Sequence, residues 1–188
     1  MNKMNIFLDL DETIISSVDN NEYLNNREKL DNLVELNSKK FDEEGEKFVY
    51  NVYERPHLQP FLEFIFKNFN VSVWTAASKN YALFIIDNFI LNKERKLDYI
   101  FFDYHCGLSK KFKDDKHKIK SLDILSNDFN IGKINLKNTI IIDDNEKVLR
   151  NQPDNCIKIK PFDVIKDKNP KCDDELLRIK NHLELMLV

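Results

Sequence analysis

Near its N-terminus the chain reads Ile6-Phe7-Leu8-Asp9-Leu10-Asp11-Glu12-Thr13-Ile14-Ile15. An unbroken apolar run delivers two carboxylates, Asp9 and Asp11, which are two residues apart and so share a face if the segment is a strand. A buried strand ending in like charges is expensive unless something compensates. A bound cation would do so, and Mg²⁺ typically takes one or two carboxylates while keeping several waters. Asp is also a covalent nucleophile toward phosphoryl groups. The pattern therefore points to Mg²⁺-dependent phosphoryl transfer through an aspartyl-phosphate. The competing reading is an ordinary strand end with solvated acids, and the rest of the chain decides between them.

Thr139-Ile140-Ile141-Ile142 repeats the pattern: it is fully apolar, as strands of parallel sheets are, and ends in Asp143-Asp144. Val71-Ser72-Val73-Trp74-Thr75 reads as a short strand closing on a hydroxyl. Residues 99–102 and 155–159 read as two more strands. Helices are expected from Leu58, with Pro60 tolerated in the first turn and Asn70 closing it, and over 76–91, with Tyr81, Phe84, Ile85 and Phe89 as its apolar face. Two more are expected over 121–129 and in the tail, 173–187. Strands alternating with helices predict an α/β fold, a parallel sheet with helices on both faces. In such sheets sites lie at the carboxyl ends of the strands. Asp9, Asp11, Thr75, Asp143 and Asp144 all fall there, and independent surface acids would have no reason to gather so.

Residues 17–54 interrupt the alternation and read as a small insert, either a flap beside the active site or a plain surface excursion. Within it, 16–21 is polar and turn-like. Leu24, Leu30, Leu33, Val34 and Leu36 suit an amphipathic helix ending near Asn37 or Ser38, 42–46 is an acidic turn, and 48–53 is a strand. Phe48, Tyr50 and Val52 share one side of that strand and read either as an apolar pocket for a substrate residue such as proline or as packing. Ser109 to Lys120 is a solvated loop, with a basic nucleic-acid patch or localisation signal as the alternative.

At 188 residues the chain is expected to be a single domain, 1–188. A net charge of −3 gives no electrostatic reason to expect nucleic acid or an anionic membrane as a partner. Three widely spaced cysteines without CxxC fit a reducing compartment and argue against structural zinc. The first apolar stretch is cut by Asp9, Asp11 and Glu12, unlike a signal peptide, and no run approaches the ~18 apolar residues of a membrane span. A soluble intracellular protein is expected, with nothing to separate nucleus from cytoplasm. With three glycines and no Gly-rich loop, a P-loop kinase is excluded.

The motifs together resemble the haloacid dehalogenase (HAD)-like phosphatases, and more narrowly their FCP/SCP branch, the NLI-interacting-factor-like phosphatases that act on phosphoserine or phosphothreonine in protein. The resemblance rests on Asp9-Leu10-Asp11-Glu12-Thr13, where most of the superfamily has Gly in place of Glu12. It also rests on Tyr53-Glu54-Arg55-Pro56-His57, on Trp74-Thr75-Ala76-Ala77-Ser78-Lys79-Asn80-Tyr81-Ala82, on Ile141-Ile142-Asp143-Asp144 and on Gln152-Pro153-Asp154-Asn155.

The resemblance implies a HAD-like Rossmannoid sheet in which Asp9 attacks phosphorus while Asp11 protonates the leaving oxygen and later activates water. Mg²⁺ would be held by the Asp9 carboxylate, the Asp11 backbone carbonyl and Asp144. Thr75 and a lysine would bind the phosphate: Lys120 aligns best, with Lys116 and Lys118 as rivals. Thr13 would support the site, and Asp143 would be either a further group around the metal or the partner orienting the lysine. Two departures stand out: Asp144 replaces the asparagine of the small members, and Phe102-Asp103-Tyr104-His105-Cys106 lacks an arginine found in their corresponding stretch. A nucleophilic His105-Cys106 pair is discounted, because neighbours on a strand point oppositely. The implied substrate is a phosphoprotein or phosphopeptide, most like the RNA polymerase II C-terminal domain, handled by a monomer. The alternatives are a phosphatase for nucleic-acid ends or small metabolites, and a catalytically silent binding module of the same fold.

Overall fold

The structure, a computed structural model, describes residues 3–42, 49–108, 120–127, 129, 131–132 and 134–187. Its first half runs β1 (Asn5–Leu8), β2 (Ile15–Asp19), α1 (Asn20–Asn25), α2 (Arg27–Asp31), β3 (Ser38–Asp42), β4 (Val49–Glu54), α3 (Leu58–Asn68), β5 (Asn70–Trp74) and α4 (Lys79–Ile85). The second half runs β6 (Ile100–Phe101), α5 (Asp103–Leu108), α6 (Asp123–Asn127), β7 (Thr139–Asp143), α7 (Glu146–Asn151), β8 (Cys156–Lys158) and α8 (Glu175–Leu185).

Five strands form one parallel sheet in the order β6-β5-β1-β7-β8. The two apolar runs that end in acids are neighbours at its centre: Leu8 lies level with Ile142 on one side and Val73 on the other. Their side chains alternate between faces as the pleat requires. Ile6, Leu8, Val73, Ile140 and Ile142 pack on the face covered by α3, α4 and α8, through residues such as Phe61, Ile85 and Ile179. Phe7, Trp74, Phe101 and Ile141 face the other way, onto Leu122, Leu125 and Val148. A run apolar at every position is thereby explained, since a strand buried on both faces has no solvent side. The fold is the α/β parallel sheet with helices on both faces that the alternation predicts.

The insert is a three-stranded antiparallel sheet, β2-β4-β3, and here the structure corrects several expectations. Ser16 and Ser17 do not lie in a turn but in β2, paired with Tyr53 and Val52. The single helix expected to end near Asn37 is instead two short ones, because Asn26 (φ −121°) leaves helical geometry between them. Asp19 and Glu22 form a capping box that starts α1. Ser38–Asp42 is a strand, buried only at Phe41, and that ring pins it by packing on Tyr81 and Phe84. Val52 is buried and the Tyr50 ring lies 5.9 Å from that of Tyr81, so both serve as packing. Phe48 and most of the acidic turn lie outside the described residues.

Smaller corrections follow from local chemistry. Asn70 opens β5 rather than closing α3, and its amide binds the Lys3 carbonyl and Asn5 Oδ1 at 3.3 and 3.1 Å. The helix expected from residue 76 begins at Lys79, where the Ser78 hydroxyl caps it, and ends in a π-helical turn, Ile86–Ile90. Residues 103–108 are helical, so His105 and Cys106 are not strand neighbours. His105 Nδ1 accepts from the Phe102 amide at 2.9 Å, while the Cys106 thiol donates to the Thr75 carbonyl at 3.7 Å.

Candidate active site

Where β1 ends, the Asp9 amide still donates to the Ile142 carbonyl at 3.1 Å, which sets Asp9 beside Asp143 at the carboxyl edge of the sheet. Both aspartates are buried, as is Lys120, which precedes α6. The Lys120 ammonium pairs with Asp9 Oδ1 and donates to Asp143 Oδ2 at 2.7 Å. Asp143 Oδ1 in turn accepts from the Asn145 amide at 2.8 Å. Burial pulls the lysine down, but the carboxylates of Asp9 and Asp143 more than offset it, so the ammonium keeps its proton. Burial pushes the Asp9 carboxyl up, against the pull of Lys120.

The backbone around Lys120 is fastened by Gln152. Its Nε2 donates to the Lys120 carbonyl and its Oε1 accepts from the Leu122 amide, both at 2.9 Å. Lys116 and Lys118 lie outside the described residues. Thr75, buried at the end of β5, accepts from the Ala77 amide on its hydroxyl at 3.0 Å. The Thr13 hydroxyl donates to Asp144 Oδ1 at 3.4 Å. Asp144 is pushed up to about 6 by burial first, then by the charges of Asp143 and Glu12.

Among the described residues, Asp9, Asp143 and Asp144 each offer a carboxylate oxygen, and these oxygens lie within 4.8 Å of one another. Among the described residues one ammonium, that of Lys120, faces these three carboxylates, so the described cluster carries excess negative charge in a largely buried place. That charge and an all-oxygen donor set suit a hard divalent cation. Asp143 is thus both a member of the acidic cluster and a hydrogen-bond partner of Lys120.

Asp11 has a different setting. Its carboxylate is held by two hydroxyls: Tyr81 donates to Oδ1 at 2.7 Å and Ser17 to the same oxygen at 3.3 Å. Burial raises the Asp11 carboxyl, and these two bonds oppose the rise. A cavity of about 310 Å³ opens beside it, lined in part by Ser17, Glu22, Asp163 and Lys166.

The loop that carries Asp11 turns sharply. The amides of Thr13, Ile14 and Ile15 all donate to the Leu10 carbonyl, and Glu12 takes a left-handed φ of 56°. This is the position at which a Gly would cost nothing. The loop is anchored by Arg55, which is 1% exposed. Its guanidinium donates to the Thr13 carbonyl at 2.8 Å and the Lys160 carbonyl at 2.9 Å, and makes a two-pronged pair with Asp173 at 2.7 and 2.8 Å.

The structure therefore brings Asp9, Asp143, Asp144, Lys120 and Thr13 together, and ties the Asp11 side chain to Tyr81 and Ser17. Sequence reasoning gave no site role to Tyr81, Ser17, Gln152 or the Arg55–Asp173 pair. Tyr81 and Gln152 sit inside the family-like motifs, whereas Ser17 and Asp173 carry no signal in the sequence.

A parallel sheet with acids and a buried lysine at its carboxyl edge, and a small antiparallel insert after β1, defines the class: the HAD-type phosphatases. The chain belongs to the NLI interacting factor-like phosphatase family, whose model matches residues 4–187. It is 40% identical over 186 residues to protein 355R of Invertebrate iridescent virus 6, described as CTD phosphatase-like, across 95% of this chain and 96% of that protein. It is 28% identical to nuclear envelope morphology protein 1 of Saccharomyces cerevisiae, across 98% of this chain and 39% of that protein. The fold matches the solved structure of Fcp1, an essential RNA polymerase II CTD phosphatase, with a TM-score of 0.66 at 19% identity. That match covers 98% of this chain, which spans 62% of the Fcp1 chain. Among the described residues no helix is long and apolar enough to cross a membrane.

Proposed function

We propose that this chain is a Mg²⁺-dependent phosphatase for phosphoserine or phosphothreonine in protein, acting through an aspartyl-phosphate on Asp9. The observation that carries the reading is the buried Asp9 carboxylate, paired with Lys120 and grouped with Asp143 and Asp144. Asp9 is the nucleophile, Asp11 the general acid and then the general base, and Lys120 and Thr75 hold the phosphate oxygens. These roles meet the demands of phosphoryl transfer, which are positioning and positive charge around the oxygens.

Asp9 and Asp144, with the Asp11 backbone carbonyl, would hold Mg²⁺, and Asp143 would keep Lys120 in line beside it. When bound, the cation screens the repulsion between the Asp9 carboxylate and an incoming phosphate dianion. Thr13 steadies Asp144.

The substrate reading draws on two supports. Viral relatives carry the description CTD phosphatase-like, and the insert over about 17–54 is a small sheet with room beside it, which suits a peptide chain better than a closed chamber would. We read 1–188 as one catalytic unit, and its substrate as a phosphopeptide of the polymerase-tail type, Ser/Thr-rich and extended.

The test is hydrolysis of a chromogenic aryl phosphate with and without Mg²⁺ by wild type and Asp9→Asn, followed by a panel of phosphopeptides. Metal-dependent turnover that Asp9→Asn abolishes supports the reading. Well-folded wild type without turnover across pH and metal would overturn it.

A further inference from the structure

The insert meets the chemistry at one side chain. Tyr81 rises from the first turn of α4 with its ring almost wholly covered, 8% exposed. Phe41 of β3 stands edge-on to that ring with centroids 5.3 Å apart and planes at 86°, and Tyr50 of β4 does the same at 5.9 Å and 68°. Edge-to-face pairs of this kind are favourable beyond the area they bury and restrict the ring. The hydroxyl at the end of the clamped ring donates to Asp11 Oδ1 at 2.7 Å. Ser17 of β2 donates to the same oxygen at 3.3 Å.

A carboxyl group turns about a broad, roughly two-fold torsion, so nothing in its own covalent geometry tells its two oxygens apart. Two hydroxyls converging on Oδ1 do tell them apart. All three strands of the insert take part: β2 through Ser17, β3 through Phe41 and β4 through Tyr50. We propose that Tyr81, clamped by the insert sheet, is a positioning residue that fixes the Asp11 carboxyl and presents Oδ2 for proton transfer. This rests on the reading of Asp11 as general acid and base.

The proton accounting is simple. An Asp9 oxygen bonds to phosphorus as the bond to the leaving oxygen breaks, and the proton on Asp11 Oδ2 passes to that oxygen. A water oxygen then bonds to phosphorus, gives its proton to Oδ2, and the bond to Asp9 breaks to release phosphate. Tyr81 and Ser17 keep their own protons throughout and donate to Oδ1 in both steps.

A positioning role is separable from a packing role by the leaving group. A good leaving group departs with little protonation, whereas an alkoxide needs the acid in place. The measurement is kcat/KM, which reports the first step, for a series of aryl phosphates of graded leaving-group pKa and for a phosphoserine peptide. The proteins are wild type, Tyr81→Phe, Ser17→Ala and Phe41→Leu, each checked by circular dichroism and thermal melting. Tyr81→Phe keeps the ring and its packing, and Ser17→Ala tests the same oxygen independently of that ring.

The expected result is that Tyr81→Phe slows the phosphoserine peptide by about tenfold or more, a share of the 10²–10⁴-fold that general acid catalysis supplies, and the most acidic phenol by less than about threefold. The dependence on leaving-group pKa steepens accordingly, and Ser17→Ala and Phe41→Leu shift it in the same direction by less. An equal loss on every substrate, or no loss on any, overturns the inference, while Asp9-dependent turnover by wild type leaves the phosphatase reading standing. Absence of wild-type turnover overturns both.

Discussion

The Lys120 ammonium lies 2.7 Å from Asp143 Oδ2, at the carboxyl edge of the sheet, and pairs with Asp9 as well. A single buried cation thus holds two carboxylates from adjacent strands side by side. Lys120→Met should remove the counter-charge that pairs with both carboxylates. The expected loss in kcat/KM on an aryl phosphate is about 10²–10³-fold, the range for deleting one donor to a developing oxyanion. Melting temperature should fall at neutral pH and recover in part with added Mg²⁺.

At the proposed metal site, Asp144 would link cation affinity to pH. Its carboxyl is pushed up to about 6 from the usual 3.8, so the folded chain holds that proton more tightly than the unfolded chain does. Where the folded state binds more protons, stability falls as pH rises, here through the window from about 4 to 6. A cation needs the ionised form. The Mg²⁺-induced rise in melting temperature should therefore be larger at pH 7 than at pH 5, and Asp144→Asn should flatten that difference. An equal rise at both values would contradict this account of the acidic cluster.

Asp173→Ala should be among the most damaging changes away from the chemistry. It strands the Arg55 guanidinium, buried against the Phe162 ring at 5.2 Å, without its carboxylate. Removing one partner of a buried pair costs about 3–5 kcal/mol, which corresponds to a melting temperature lower by roughly 10 °C for a chain of this size. Because Arg55 also holds the Thr13 carbonyl, activity should fall below the melting transition too. Thermal melts and rates at a temperature where the variant is folded check both points.

Thiol labelling offers a simple check on packing. Cys106 and Cys156 are buried while Cys172 is exposed. Burial pushes both buried thiols up, Cys156 to about 12 with Asp143 adding to the effect. Native protein at pH 8 should react with one equivalent of an aromatic disulfide reagent, and Cys172→Ser should abolish that reaction. Denaturant should expose the remaining two.

Much of the central sheet is legible in the chain because burial on both faces leaves no polar alternation to blur it. Ile6–Leu8 and Ile140–Ile142 are unbroken apolar runs, and the acids that follow them stand out against that background. The insert is harder to read for the opposite reason. β2 carries Ser16 and Ser17, whose polarity reads as a turn. Their hydroxyls are instead consumed by the Val164 amide at 3.2 Å and by Asp11, partners far from or unmarked in the local sequence. β3 has one buried side chain in five residues, Phe41, too few to show a period of two.

The site divides along the same line. Asp9, Asp143 and Asp144 sit at strand ends, where position follows from local pattern. The Tyr81 hydroxyl meets Asp11 across 70 residues of chain, and helical periodicity places that ring on an apolar face without saying what its hydroxyl touches. Arg55 and Asp173 are separated by 118 residues, and nothing local to either marks the other as its partner. Glu12, by contrast, was informative as a departure from Gly, and its φ of 56° shows why Gly is the easy choice there.

The most direct measurement is to trap the covalent intermediate. Protein turning over an aryl phosphate in the presence of Mg²⁺ is quenched in acid and treated with borohydride, which reduces an acyl phosphate to the alcohol, and the digest is read by mass spectrometry. Homoserine is expected at position 9, dependent on substrate and metal, and none in Asp9→Asn. Reduction at another carboxylate, or turnover with no modified residue at position 9, would contradict an aspartyl-phosphate on Asp9.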